Sequence, residues 1–165
     1  HRPRAARYAR GRYSAEGYYY EARDLAAVVA LLLAPLGPGG DRQYRTASFD
    51  LDADQPIEQA PQTAAEDAIL MVDGTFLQRP ELQYHWDVTV FVRTSAEIAE
   101  ARGLSRDIEH LGGEAAARNL YAKRYRPAYA LYEQLCDPER NSDAIIDNDD
   151  LIHAQLHLRP KGRLA

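Results

Sequence analysis

Several things are scarce in this sequence, and each shortage removes an explanation. One cysteine, Cys136, occurs in 165 residues. No internal disulfide can form, and a reducing, cytoplasmic setting is the simple expectation. Cys136 has no activating neighbours, and no Ser-His-Asp arrangement stands out. No apolar run reaches the roughly 20 residues of a membrane span. The longest, Leu25 to Leu36, meets Pro35 and reads as a buried helix. Positive charge is not in excess: the net charge is -5, which argues against a general nucleic-acid binder. A G-x-x-x-x-G-K-[ST] run is missing, and the Lys161-Gly162 pair has the reverse order. The first residue is not methionine, so the chain is expected to be a piece of something longer.

What is present is ordinary for one globular domain over 1–165, with 45% apolar and 27% charged residues. Residues 1–20 read as irregular, carrying Arg2, Arg4, Arg7, Arg10, Arg12 and a cluster of tyrosines, Tyr18 to Tyr20. The arginines form either an anion-binding arm or a disordered basic tail. A helix is predicted from about Glu21 to Ala34, stopped by Pro35 and Gly37-Pro38-Gly39-Gly40. Tyr44 to Leu51 and a short strand near Ile57 suggest a hairpin, followed by a loop from Pro61 to Glu66. Ala68 to Val72 is a continuous apolar run closed by Asp73-Gly74, the pattern of a strand buried on both faces. Trp86 to Val92 and Ala144 to Ile146 read as further strands. Between them Ser95 caps a helix to about His110, Gly112-Gly113 breaks it, and a second helix runs from Glu114 to Tyr125 with a kink or restart at Pro127. Strands alternating with helices imply a parallel α/β sheet.

Asp73 stands where an apolar strand would end, the place at which α/β sheets bind ligands. Its carboxylate suits magnesium, and Gly74 permits a sharp turn beside it. A plain Asp-Gly turn accounts for the pair equally well. Arg102 and Arg106 share one helix face and could bind phosphate oxygens bidentately, or simply pair with Glu97, Glu100 or Asp107. Tyr121, Tyr125, Tyr129 and Tyr132 recur at helical spacing and fit core packing. His153 and His157 could bind zinc only on a helix, and no third ligand is evident nearby.

An ordered set of segments supports a more specific reading. It comprises His1-Arg2-Pro3-Arg4, Glu16-Gly17-Tyr18-Tyr19, Pro35 to Arg42, Tyr44-Arg45-Thr46, Val72 to Leu82, Trp86-Asp87, Ala101-Arg102, Arg106-Asp107, Tyr125-Arg126-Pro127 and Ile145-Ile146-Asp147-Asn148. Together they resemble bacterial uridine kinase-like proteins of the P-loop nucleoside kinase class. The resemblance implies a P-loop NTPase-like (Rossmann-like) α/β fold. This is a three-layer parallel sheet with helices on both faces, its first strands and P-loop missing here. It also implies an acceptor-side hairpin over 43–60 and a lid region over 95–126.

The same resemblance implies transfer of the γ-phosphate of ATP, with Mg2+, to uridine, cytidine or a similar small hydroxyl acceptor. Asp73 matches the acidic residue near magnesium, and Arg102 and Arg106 match the lid that closes over the phosphates. Phe49 and Asp50 match the segment covering the base, and Tyr13 is a looser candidate for that pocket. His1 and Arg2 match residues just after the family's catalytic aspartate. Asp54 stands where a base-reading histidine is usual, which weakens the expectation of a pyrimidine. Without the phosphate loop the isolated chain is expected to be inactive, and either poorly folded or associated with a second copy as a homo-oligomer. Two alternatives remain: a non-catalytic relic that binds a ligand or partner, and a kinase for another acceptor such as pantothenate.

Overall fold

The computed structural model describes residues 1–165, whose contacts gather into two compact units, His1–His85 and Trp86–Ala165. In the first unit the opening residues are ordered by ion pairs. Helix α1 (Arg4–Arg7) follows Pro3, and one π-helical turn (Gly17–Glu21) turns Tyr19 inward. The expectation of a loose basic tail is overturned: Arg2 pairs with Glu21, Arg7 with Asp54 at 3.1 Å, and Arg10 with Glu16 at 2.8 Å.

The next helix starts later than predicted, because Asp24 caps it. Its carboxylate accepts the Ala27 amide at 2.9 Å, so α2 covers Leu25–Val28. A π turn (Val29–Leu33) and α3 (Ala34–Leu36) continue it. Pro35 explains the wide turn, since it has no amide hydrogen and its ring crowds the carbonyl of Leu31, four residues back. That carbonyl instead accepts the Arg45 amide at 2.8 Å. Gly40 then has to be glycine: a Cβ there would overlap the Pro35 carbonyl oxygen, which already accepts the Arg42 amide at 2.9 Å.

The predicted hairpin exists in shortened form. Strand β1 (Gln43–Tyr44) pairs antiparallel with β4 (Gln62–Thr63), and β2 (Phe49–Asp50) pairs with β3 (Gln55–Pro56), Phe49 opposite Pro56. The predicted strand from Ala68 to Val72 does not form. Ile69 and Met71 are 91% and 90% exposed. An apolar run becomes a buried strand only where a neighbour accepts its ladder bonds, and the strands of this unit pair among themselves. The core is supplied by the next segment, in which Phe76, Arg79 and Leu82 are buried along with Tyr19, Ala22 and Leu33.

The second unit carries the parallel pairing. Strand β5 (Val90–Arg93), starting four residues after Trp86, leads into α4 (Ala96–Asp107), α5 (Glu114–Leu120), a π turn (Tyr121–Tyr125) and α6 (Arg126–Cys136). Strands β6 (Ala144–Asp147) and β7 (Gln155–Leu158) complete a sheet ordered β5-β6-β7. β5 runs parallel to β6, and β7 is antiparallel to β6. The fold is α/β, but small mixed sheets stand in place of the expected three-layer parallel sheet. Gly112 and Gly113, at φ +91° and +95°, separate α4 from α5. Pro127 repeats the device of Pro35, and the helix passes it through a π turn instead of ending near Tyr125. Tyr121 stacks edge-on against Tyr125 at 5.2 Å, and Tyr129 against Tyr132 at 6.0 Å. These tyrosines are packing residues, as predicted. No helix is long and apolar enough to cross a membrane.

Candidate functional site

The carboxyl ends of parallel strands are where α/β sheets present chemistry, and in the second unit that edge is densely charged. Arg93, the last residue of β5, holds Asp147, the last of β6, through two nitrogens, one bond measuring 2.8 Å. The same guanidinium reaches Glu139 at 2.9 Å. His157 Nε2 lies 2.9 Å from the second Asp147 oxygen. The Arg93 contact holds the Asp147 carboxyl below the usual carboxylate range, so it stays ionised.

The loop after β6 is fastened to α4. Arg102 donates to the carbonyls of Asn148 at 2.7 Å and Asp149 at 2.6 Å. The Asp149 carboxylate accepts the Ser95 amide at 2.7 Å, so this loop caps α4 while the Ser95 hydroxyl makes no capping bond. Arg106, one turn on, projects to solvent and binds the Asp107 carboxylate at 2.7 Å and 3.0 Å. The Arg106 contact lowers the Asp107 carboxyl, and Tyr121 donates its hydroxyl to it at 3.0 Å. Burial, then the Asp107 bond, pushes Tyr121 up to about 12. The two predicted arginines therefore share α4 but have different partners.

The first unit contains the remaining predicted residues. Asp73 is exposed, in a stretch without regular structure. Two residues on, Thr75 Oγ1 accepts from Arg23 Nη2 at 2.8 Å. Arg23 lies over the rings of Tyr18 (5.1 Å) and Phe76 (5.6 Å), and its buried Nη1 has no partner. Phe49 and Asp50 are half-buried in β2. The Asp50 carboxylate accepts the Asp52 and Ala53 amides at 2.9 and 3.0 Å, which fixes the hairpin turn. Tyr13 is 41% exposed. His1 Nδ1 lies 3.1 Å from the Ala22 carbonyl oxygen, next to the Arg2–Glu21 pair. Asp54 accepts the Arg4 amide at 2.7 Å as well as the Arg7 bond, tying the hairpin to α1. Burial raises the Asp54 carboxyl, but the Arg4 amide and the Arg7 guanidinium outweigh it and hold the group low. His157 lies on a strand and His153 in a bend bonded to Asp150 at 2.9 Å, so the helical zinc geometry is absent. No group of three or more His, Cys, Asp or Glu residues is arranged to hold a metal ion.

Sequence reasoning missed Arg23, Arg79, Arg93 and Asp147, and weighed His157 only as a zinc ligand. The strand-end rule that selected Asp73 would have selected Arg93 and Asp147 once β5 and β6 were extended by one residue each. Arg23 and Arg79 had no comparable signal, because their partners lie 52 and 60 residues away.

No protein-family model matches the chain, and no curated protein is similar to it in sequence. Among solved structures it is similar to a chain described as a possible uridine kinase from Bacillus stearothermophilus, with a TM-score of 0.64 and 21% identity. The match covers 87% of this chain and 65% of that one. At that identity the likeness is one of fold, and the chain has an α/β fold similar to that of the possible uridine kinase.

Proposed function

We propose that these residues are the larger part of an ATP-dependent kinase for a nucleoside or a similar small hydroxyl compound. The observation that supports this is the fold likeness to the possible uridine kinase over 87% of the chain. On this reading Asp73 would be one oxygen ligand of magnesium. A single carboxylate suits that ion, which takes phosphate oxygens and water at its other positions. Bound ATP and magnesium supply the phosphoryl group and offset part of its charge. Phe49 would pack on the acceptor's base, with Asp50, Tyr13, His1 and Arg2 as further acceptor-side residues. Arg106 is charged at any working pH and free to swing from its exposed pairing with Asp107 toward a phosphate. Arg102 would have to release the Asn148 and Asp149 carbonyls to do the same. Neither unit supplies a G-x-x-x-x-G-K-[ST] loop, so the grip on the triphosphate would come from outside these residues.

A second reading is favoured by one observation: both terminal nitrogens of Arg102 are committed to backbone carbonyls. A protein that binds a small molecule without turning it over would need no mobile arginine there. An assay separates the two. With ATP, magnesium and a panel of uridine, cytidine and pantothenate, the 165-residue chain is expected to show no turnover, and a form extended at its amino end to phosphorylate one of them. Asp73→Ala in the extended form should abolish that activity. An unchanged rate would remove Asp73 from metal binding, and an inactive extended form would favour the binding protein.

A further inference from the structure

Away from the strand ends described above, the second unit has an open cleft of about 440 Å³ built from the segment entering β6 and the segment leaving β7. Arg140, Arg159 and Lys161 line it, with one acidic residue, Asp143. It lies at the amino end of β6, and a four-residue strand separates it from the Arg93–Asp147 edge by about 10 Å.

The ionised acidic residue offsets one of the three cationic charges and leaves the lining net positive. One Asp143 oxygen accepts the Thr89 amide (2.8 Å) and hydroxyl (3.1 Å), and the other accepts the Arg163 amide at 2.9 Å. Burial raises the Asp143 carboxyl, but these donors prevail and hold it low. The Arg159 guanidinium is anchored by one bond, from Nη2 to the Glu139 carbonyl at 2.9 Å, and its buried Nε has no partner. A buried charged donor without an acceptor is unfavourable, and an anion beside the guanidinium would offset its charge. Arg140 has a single distant partner, Asp137 at 3.9 Å, and is 83% exposed. Lys161 makes no ion pair. The floor is closely packed: a Cβ on Gly162 would meet the Asp143 Cα at 2.9 Å and its carbonyl oxygen closer still.

We propose that this cleft binds a small phosphate-bearing anion, at a site distinct from the carboxyl edge. Guanidinium and ammonium groups that converge on an open cavity select phosphate oxygens, and the volume suits a metabolite-sized molecule, not a macromolecular surface. The inference does not depend on the kinase reading.

Inorganic pyrophosphate is the probe, titrated into the 165-residue chain at constant ionic strength with sodium chloride as the control salt. Binding is expected at sub-millimolar concentration, with the Gly162 and Ser142 amides among the largest shifts in NMR spectra. The double variant Arg140→Ala, Lys161→Ala alters exposed side chains and should weaken binding by about tenfold or more. Arg118→Ala, an exposed arginine of α5 paired with Glu114, should leave it unchanged. Three results would each overturn the proposal: no binding up to about 10 mM, undiminished binding by the double variant, or amide shifts confined to the loop after β6. The amide shifts use the unaltered chain, so they decide the matter even if the double variant fails to fold.

Discussion

Arg79 shows how one charged residue can serve a core. It is 5% exposed, donates to the Tyr19 carbonyl, pairs with Glu81 and stacks on the Tyr19 ring at 4.5 Å. Glu81 is half in water and would rehydrate if freed, so the loss on substitution comes mainly from the carbonyl and the ring. Arg79→Met is expected to cost about 2 kcal/mol, read as a lower urea midpoint; a change below about 0.5 kcal/mol would assign the residue a surface role. Asp107 and Tyr121 tie stability to pH in opposite directions. The folded Asp107 value lies below its unfolded value, so its contribution is complete above that unfolded value and lost as acid takes the pH down through the folded one. Tyr121 is raised from 10.0 to about 12, so its contribution is complete below pH 10.0 and lost between there and about 12. Tyr121→Phe should shallow the alkaline limb of a stability profile measured by urea denaturation across pH, and reduce the acid limb by less, since Arg106 still holds Asp107 low. Signals were legible where the chemistry is local, as with Gly112-Gly113 separating two helices. They were illegible where it is not: nothing near Arg23 in sequence announces Thr75 or Phe76.

At the level of elements, the two prolines near helix middles behave alike, each preceded by a π turn that ends two residues before it. The sequence signals the interruption but not its form, because whether a helix stops or widens depends on what its displaced carbonyls can find. The failed strand at Ala68–Val72 teaches the same lesson for sheets. Its pattern was right for a buried strand, but pairing is a property of two segments, and no second one is on offer. By contrast β6 was read correctly, since Ala144 and Ile145 are buried and its partner β5 exists. The contact between α4 and the π turn that follows α5 gives a test. A Cβ at Gly103 would lie 2.8 Å from Tyr121 Cζ and nearer to its hydroxyl. Alanine gains about 1 kcal/mol of helix propensity over glycine. Displacing the ring costs about 1–3 kcal/mol, with the Tyr121–Asp107 bond another ~1 kcal/mol. Gly103→Ala is therefore expected to destabilise the protein by about 1–3 kcal/mol in thermal or urea unfolding; a more stable variant would mean that the ring yields freely.

Over the whole molecule, apolar side chains remain outside in both units. Val90 and Val92 on β5 share a sheet face with Leu156 and Leu158 on β7, and these four are 45%, 52%, 61% and 49% exposed. β5 is also an edge strand, with one side of its ladder unpaired. An apolar face beside an open edge is a surface that a second copy could cover, and it is where the homo-oligomer expected from the sequence can be tested. Val92→Lys should change stability by less than about 0.5 kcal/mol while abolishing concentration-dependent association in sedimentation. Association that survives the substitution would direct attention to the exposed Ile69 and Met71. The class of fold was readable from alternating helices and strands; its division into two compact units was not, because no proline-rich or glycine-rich linker marks His85–Trp86.

The Arg45 amide that occupies the Leu31 carbonyl has a consequence for how the first unit comes apart. That carbonyl is available because Pro35 removed its helical donor, so peeling away the segment that starts at Gln43 would strand an acceptor in the middle of the preceding helix. Unravelling that helix would in turn release the segment. The residue that interrupts the regular ladder thereby couples two neighbours, so that loosening either one costs the other a backbone bond.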